Sequence, residues 1–240
     1  LNNPLFLPWR GGGGFLFIFF FSPRFGGGIF LKGKKMKRGT FITATGTDVG
    51  KTYVSALLVK SIPNCGYYKP ALSGDVYPND CEYVIETSGI KKGDYVSYKF
   101  KPAVSPHLAS QLENNPIKLD KIKSDFERIQ KDFDFMVVEG AGGIVCPFGD
   151  DLLLPDVIKA LGLDIIIVAS ASLGTINSTV LTVEYAKNHG INVKGIILNN
   201  YDETDFMQVD NKKMVEKLTG IKVLATVKTG DTEICTKEIL

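Results

Sequence analysis

Apolar runs recur along the chain, and between them lie stretches whose apolar positions return at helical spacing. Strands are predicted at 41–45, 67–69, 133–138, 164–169, 194–198 and 222–227, and helices at 51–61, 80–87, 120–131, 156–161, 176–188 and 210–218. Several strand runs, such as Ile165-Ile166-Ile167-Val168, are apolar at every position. That suits strands covered by helices on both faces, since a half-exposed strand alternates instead. The alternation of elements predicts an α/β fold, a doubly wound, mostly parallel sheet with helices on both faces. Such sheets bind ligands beyond the carboxyl ends of their strands. Residues 99–119, with Pro102, Pro106 and Pro116, read as a loop-rich excursion.

Residues 1–35 break the pattern. They hold eight of the 15 Phe residues, the single Trp (Trp9) and two runs of Gly, with no helical or strand period. The apolar run at 15–21 is too short to span a bilayer. Ser22-Pro23-Arg24-Phe25 after it offers no small-residue cleavage site for a secretory signal. The expectation is that translation starts at Met36, that residues 1–35 are a non-native or disordered leader, and that 36–240 form a single domain. Charge follows the same division. Arg10, Arg24, Lys32, Lys34 and Lys35 all lie in the leader, which has no acid, so the net charge of +2 becomes negative over 36–240. A body without a broad basic field argues against a nucleic-acid partner, and nothing suggests a membrane. Cys65, Cys81, Cys146 and Cys235 form no Cys-x-x-Cys pair. They read as reduced thiols in a cytoplasmic protein.

The first predicted strand runs into Ala44-Thr45-Gly46-Thr47-Asp48-Val49-Gly50-Lys51-Thr52, and a helix follows. Backbone N–H groups of such a turn and of the helix start form a cradle for phosphate oxygens. Lys51 adds positive charge for the terminal phosphates, and Thr52 offers a hydroxyl to magnesium. The usual spacing would place the first glycine at 45, where this chain has Thr45, with Gly46 one residue late. A chance Gly-Lys-Thr turn is the bland alternative. The strand-then-helix context favours a nucleoside triphosphate site.

Other candidate residues also follow strands. Glu139, in Val138-Glu139-Gly140-Ala141-Gly142-Gly143, puts an acid where a metal–triphosphate site needs one. Lys69, in Tyr68-Lys69-Pro70, would point into the same cleft; two ammonium groups that close repel unless an anion lies between them. Asp80 reads equally as a ligand or a helix N-cap. The amides of Leu173-Gly174-Thr175-Ile176-Asn177 could hold an anion or simply open a helix. Asn199-Asn200-Tyr201-Asp202 lacks the Asn-Lys-x-Asp of guanine-specific proteins. His107 and His189 read as structural.

Taken in order, the segments at 44–52, 68–74, 105–107, 138–143, 173–177 and 198–200 resemble those of the dethiobiotin synthetases, over about residues 38–228. The resemblance implies a P-loop enzyme that uses ATP and magnesium to carboxylate 7,8-diaminononanoate with CO2 and close a cyclic urea. It implies Lys51 and Lys69 as catalytic residues, and Thr52, Asp80 and Glu139 as magnesium ligands. It assigns ATP contacts to Asp48, Val49, Gly50, Lys51, Thr52, Tyr53, Asp80, Glu139, Gly140, Ala141, Gly142, Asn199 and Asn200. Substrate contacts fall to Thr47 and Ser73, with Gly174, Thr175 and Asn177 taking the tail carboxylate across a homodimer interface. The chain departs from the family pattern in Ala44, where the loop usually begins with Gly, and at Val227-Lys228-Thr229-Gly230, where a Pro usually follows the last strand. The alternative is a partition-type ATPase, a nucleotide-switched binding protein. That group places a second lysine near the loop start, where this chain has Ala44 and Thr45.

Overall fold

The first strand, β1 (Gly39–Ala44), is buried along nearly its whole length. It pairs in parallel on both sides, Phe41 lying opposite Val138 of one neighbour and Ile165 of the other. A computed structural model of the chain describes residues 39–240. The expectations for residues 1–35 lie outside the described residues.

From β1 the chain alternates strand and helix: α1 (Lys51–Ser61), β2 (Cys65–Ser73), α2 (Asp80–Ser88), β3 (Val96–Phe100), α3 (Pro106–Leu112), α4 (Leu119–Ile129), β4 (Phe135–Glu139), α5 (Leu154–Leu161), β5 (Ile165–Ser170), α6 (Thr175–Asn188), β6 (Val193–Asn199), α7 (Phe206–Thr219) and β7 (Val223–Val227). The seven strands make one sheet in the order β3-β2-β4-β1-β5-β6-β7. Every pairing between these seven strands is parallel. Central strands need apolar side chains on both faces, and β4 and β5 supply them: Val137, Val138, Ile165, Ile166, Ile167 and Val168 are all fully buried. The order puts the ends of β1, β2 and β4 side by side.

Three local departures from the sequence reading matter for the site. The second strand runs from Cys65 to Ser73, far beyond 67–69. Pro70 sits where the strand changes partner, pairing with β4 through Tyr68 and with β3 from Lys69 onward. A residue without an N–H is tolerated there because no continuous ladder is interrupted. The region 99–119 is not simply loop, because it contains the end of β3 and the whole of α3. Pro106 is in the first turn of α3, where its missing N–H costs nothing, and the Ser105 hydroxyl accepts from the N–H of Leu108. Finally, Asp80 does not cap α2. Asn79 does, in a reciprocal capping box with Glu82, which leaves the Asp80 carboxylate free to face the sheet.

Candidate active site

The loop between β1 and α1 turns on Asp48 (φ 59°) and Gly50 (φ 91°). This left-handed backbone lets successive N–H groups converge on an anion. At Gly50 a side chain is barred twice, by the positive φ and by the Asn199 side-chain amide that a Cβ would strike. That amide belongs to the end of β6 and donates to the carbonyl of Val49 at 3.0 Å, tying the loop to the far half of the sheet.

Lys51, first residue of α1, is buried and its ammonium donates to the carbonyl of Gly46 at 3.0 Å. Burial lowers its pKa from the usual lysine value, with Glu139 pulling the other way. Beside it a compact charged group crosses three elements. The Lys69 ammonium from β2 lies 2.8 Å from Glu139 Oε1 at the end of β4 and 2.7 Å from Asp80 Oδ2 at the start of α2. Thr52 Oγ1 donates to the same Glu139 Oε1 at 2.8 Å. Burial opposes charge on Lys69, but Glu139 and Asp80 outweigh it and hold its pKa above the ordinary value. Burial likewise opposes charge on Asp80, and Lys69 more than compensates, holding its carboxyl low. Lys69 and Asp80 are therefore both charged at neutral pH.

Lys51, Thr52, Lys69 and Asp80 line a cleft of about 830 Å³ together with Thr47, Asp48, Gly50, Ser73, Gly140, Ala141 and Gly142, and Glu139 is buried behind Thr52 and Lys69. Its remaining wall comes from Ala71, Ser105 and Pro106, which lie in the segments 68–74 and 105–107 but take no role from the sequence, and from Ala103, Val104 and Cys146, which no motif marks. Ser73 Oγ is buried without a hydrogen-bond partner among the described residues. Burial pushes the Cys146 thiol up to about 11, so it stays protonated. All four cysteines are free. A second cleft of about 540 Å³ meets the first at Asp48 and Gly50, and runs past Tyr53, Tyr83, Asn199, Asn200, Thr229, Gly230 and Asp231. There the Asn199 Oδ1 is buried and unpaired, and the Tyr53 hydroxyl donates to the carbonyl of Asp231. Lys228 points elsewhere, pairing with Glu203 at 2.7 Å.

Gly174, Thr175 and Asn177 line neither cleft. Thr175 Oγ1 is buried against Thr179 Oγ1 at 3.4 Å, and Asn177 is exposed in the first turn of α6, which follows β5. His107 does not line the first cleft, and its Nε2 lies 2.8 Å from Asp150 Oδ1. His189 stacks on Tyr185. One contributor gave no motif signal: the Tyr67 hydroxyl donates to Glu139 Oε2 at 2.9 Å. Strand alternation does place it on the face of Lys69, two residues on.

Residues 38–232 match a family model described as an AAA domain. The complex of the cell-division proteins MinC and MinD from Aquifex aeolicus has a similar fold, with a TM-score of 0.51 at 12% identity over 80% of this chain and 81% of that one. Sequence relatives are much nearer. The ATP-dependent dethiobiotin synthetase BioD of Brachyspira hyodysenteriae is 45% identical over 216 residues, covering 85% of this chain and 98% of its own. That of Clostridium botulinum strain Langeland is 49% identical over 211 residues, covering 82% and 93%. Such identity over nearly full length favours the synthetase reading over the partition-type one, and the chain belongs to the ATP-dependent dethiobiotin synthetase family.

Proposed function

We propose that the protein uses ATP to carboxylate 7,8-diaminononanoate with CO2 and to close the cyclic urea, releasing ADP and phosphate. One observation carries this reading. Two lysine ammonium groups, the Asp80 carboxylate and the Thr52 hydroxyl share a cleft, backed by the buried Glu139 carboxylate, that joins a second, tyrosine-flanked cleft at the phosphate loop. The second cleft suits a purine base, and the unpaired Asn199 Oδ1 suits its exocyclic amine.

The donor set fits magnesium. Thr52, Asp80 and Glu139 offer only hard oxygens, and Thr52 already reaches Glu139. These three would hold the ion, which would supply charge neutralisation along the triphosphate.

The chemistry then proceeds in balanced steps. One substrate amine attacks CO2 and loses a proton, giving a carbamate. A carbamate oxygen attacks the terminal phosphorus of ATP, and ADP leaves. The second amine attacks the carbamoyl carbon, expelling phosphate and losing a proton as the ring closes. Lys51 aligns the terminal phosphate with the carbamate, and Lys69 neutralises the carbamate oxygens. Phosphoryl transfer asks for alignment and charge compensation rather than covalent help. Thr47 and Ser73 orient the diamine, while Ala71, Ala103, Val104 and Pro106 cover its alkyl chain and exclude water.

The working unit in this reading is a homodimer in the cytoplasm, with Gly174, Thr175 and Asn177 receiving the tail carboxylate of the partner subunit's substrate. Leu173, 83% exposed, and Leu181, 62% exposed, flank that segment and offer apolar area for such an interface. No helix among the described residues is long and apolar enough to cross a membrane.

The test is phosphate release from ATP with diamine and bicarbonate supplied separately and together. Release should require both. ATP hydrolysis indifferent to the diamine, alongside a stable nucleotide-dependent dimer, would overturn the reading.

A further inference from the structure

The Glu139 carboxylate has no solvent exposure, and its two oxygens have different surroundings. Oε1 accepts from Thr52 at 2.8 Å and from Lys69 at 2.8 Å, and both donors line the cleft. Oε2 accepts from the Tyr67 phenol at 2.9 Å, and Tyr67 lies wholly within the core. A carboxylate at a strand end can turn about its terminal bond. With Oε2 unpartnered, it could turn to offer Lys69 either oxygen. The phenol removes that freedom.

We propose that Tyr67 is a positioning residue that anchors Glu139 Oε2 in the core, so that Oε1 stays turned to the cleft floor, ready for a divalent cation that arrives with the nucleotide. This inference rests on the reading of Glu139 as a metal ligand. Partners that orient a ligating carboxylate are typically worth about 10–100-fold in metal affinity or activity.

The experiment measures Mn2+ affinity of the full chain with a non-hydrolysable ATP analogue, by electron paramagnetic resonance, alongside steady-state kinetics with Mg2+. The variants are Tyr67→Phe, Glu139→Gln and the double substitution. Tyr67→Phe should weaken Mn2+ binding roughly 10–100-fold and lower kcat similarly, with KM for the diamine nearly unchanged. The double variant should bind Mn2+ no more weakly than Glu139→Gln alone, because Tyr67 acts through Glu139. Wild-type Mn2+ affinity in Tyr67→Phe, even with a lowered melting temperature, would reduce the phenol to a structural role and overturn the proposal. Wild-type affinity in Glu139→Gln would overturn both this proposal and the metal reading beneath it. Should Tyr67→Phe fail to fold, the ultraviolet difference spectrum of the unaltered chain on adding Mn2+ and analogue replaces it. A tyrosine perturbation absent from Glu139→Gln supports the link, and no perturbation in the unaltered chain overturns it.

Discussion

Lys69 and Glu139 form a buried ion pair 2.8 Å long, with side chains 3% and 0% exposed. Removing one partner of such a pair strands the other charge in the core, at a typical cost of about 3–5 kcal/mol. Lys69→Ala should therefore lose stability as well as roughly 10²–10³ in turnover. Replacing both residues with apolar ones, as in Lys69→Met with Glu139→Leu, should restore most of the stability and none of the activity. Urea unfolding and phosphate release measure the two effects separately. A Lys69→Ala protein as stable as the wild type would contradict the buried-pair account.

Acid stability should depend on Asp80. Its folded pKa is depressed, so its contribution is present above its unfolded value near 3.8 and is lost as pH falls through the lower folded value. Lys69 has the opposite sign. Its folded pKa is raised, so its contribution is present below 10.5 and is lost only above the folded value. The pair thus supports the fold evenly between those limits. Asp80→Asn should flatten the fall in melting temperature below about pH 4. Superimposable melting profiles for variant and wild type would exclude the pair as its source.

Gly50 permits no side chain, because its φ is 91° and a Cβ would strike the Asn199 amide. Gly50→Ala should weaken binding of an ATP analogue at least roughly tenfold, equivalent to about 1.4 kcal/mol. Adding Asn199→Ala removes the collision but not the backbone strain, so recovery should be partial. Calorimetric titration of both variants checks this; full recovery in the double variant would mean that strain contributes nothing.

Ser73 Oγ lies in the cleft wall without a partner. Ser73→Ala should therefore leave the melting temperature almost unchanged. If the hydroxyl meets the diamine, losing one hydrogen bond of about 0.5–1.5 kcal/mol should raise KM for the diamine several-fold. KM for ATP should not move. An unchanged diamine KM takes Ser73 out of the substrate site.

The parallel core was legible because its strands are apolar without interruption, as in 165–168, and the phosphate loop because Gly50-Lys51-Thr52 stands between a strand and a helix. The edge strand β3 was not. Its burial alternates, with Ser97 partly buried and Lys99 exposed, and Lys99 merges into a proline-rich stretch. Helix α3 was hidden by the habit of reading proline as a breaker, whereas Pro106 begins it. On its own residues Asp80 reads equally as cap or ligand, with only the family resemblance favouring the ligand, and the fold gives the cap to Asn79. The wall residues Ala103 and Val104 leave no local trace, since their place in the cleft depends on how distant strands order themselves. Tyr67 was hidden for a related reason. An aromatic in a strand reads as packing, and only the neighbouring carboxylate gives its hydroxyl a task.

The total enclosure of Glu139 has an evolutionary consequence. Its companions Thr52, Lys69 and Tyr67 depend on one another, so drift at one leaves an uncompensated charge or donor that drift at another cannot easily mend. Descendants of this chain that acquire new substrates should therefore keep that quartet and vary the small residues of the cleft wall, Ala71, Ala103 and Val104, where a changed methyl group alters the shape of the cleft without disturbing the ionic centre.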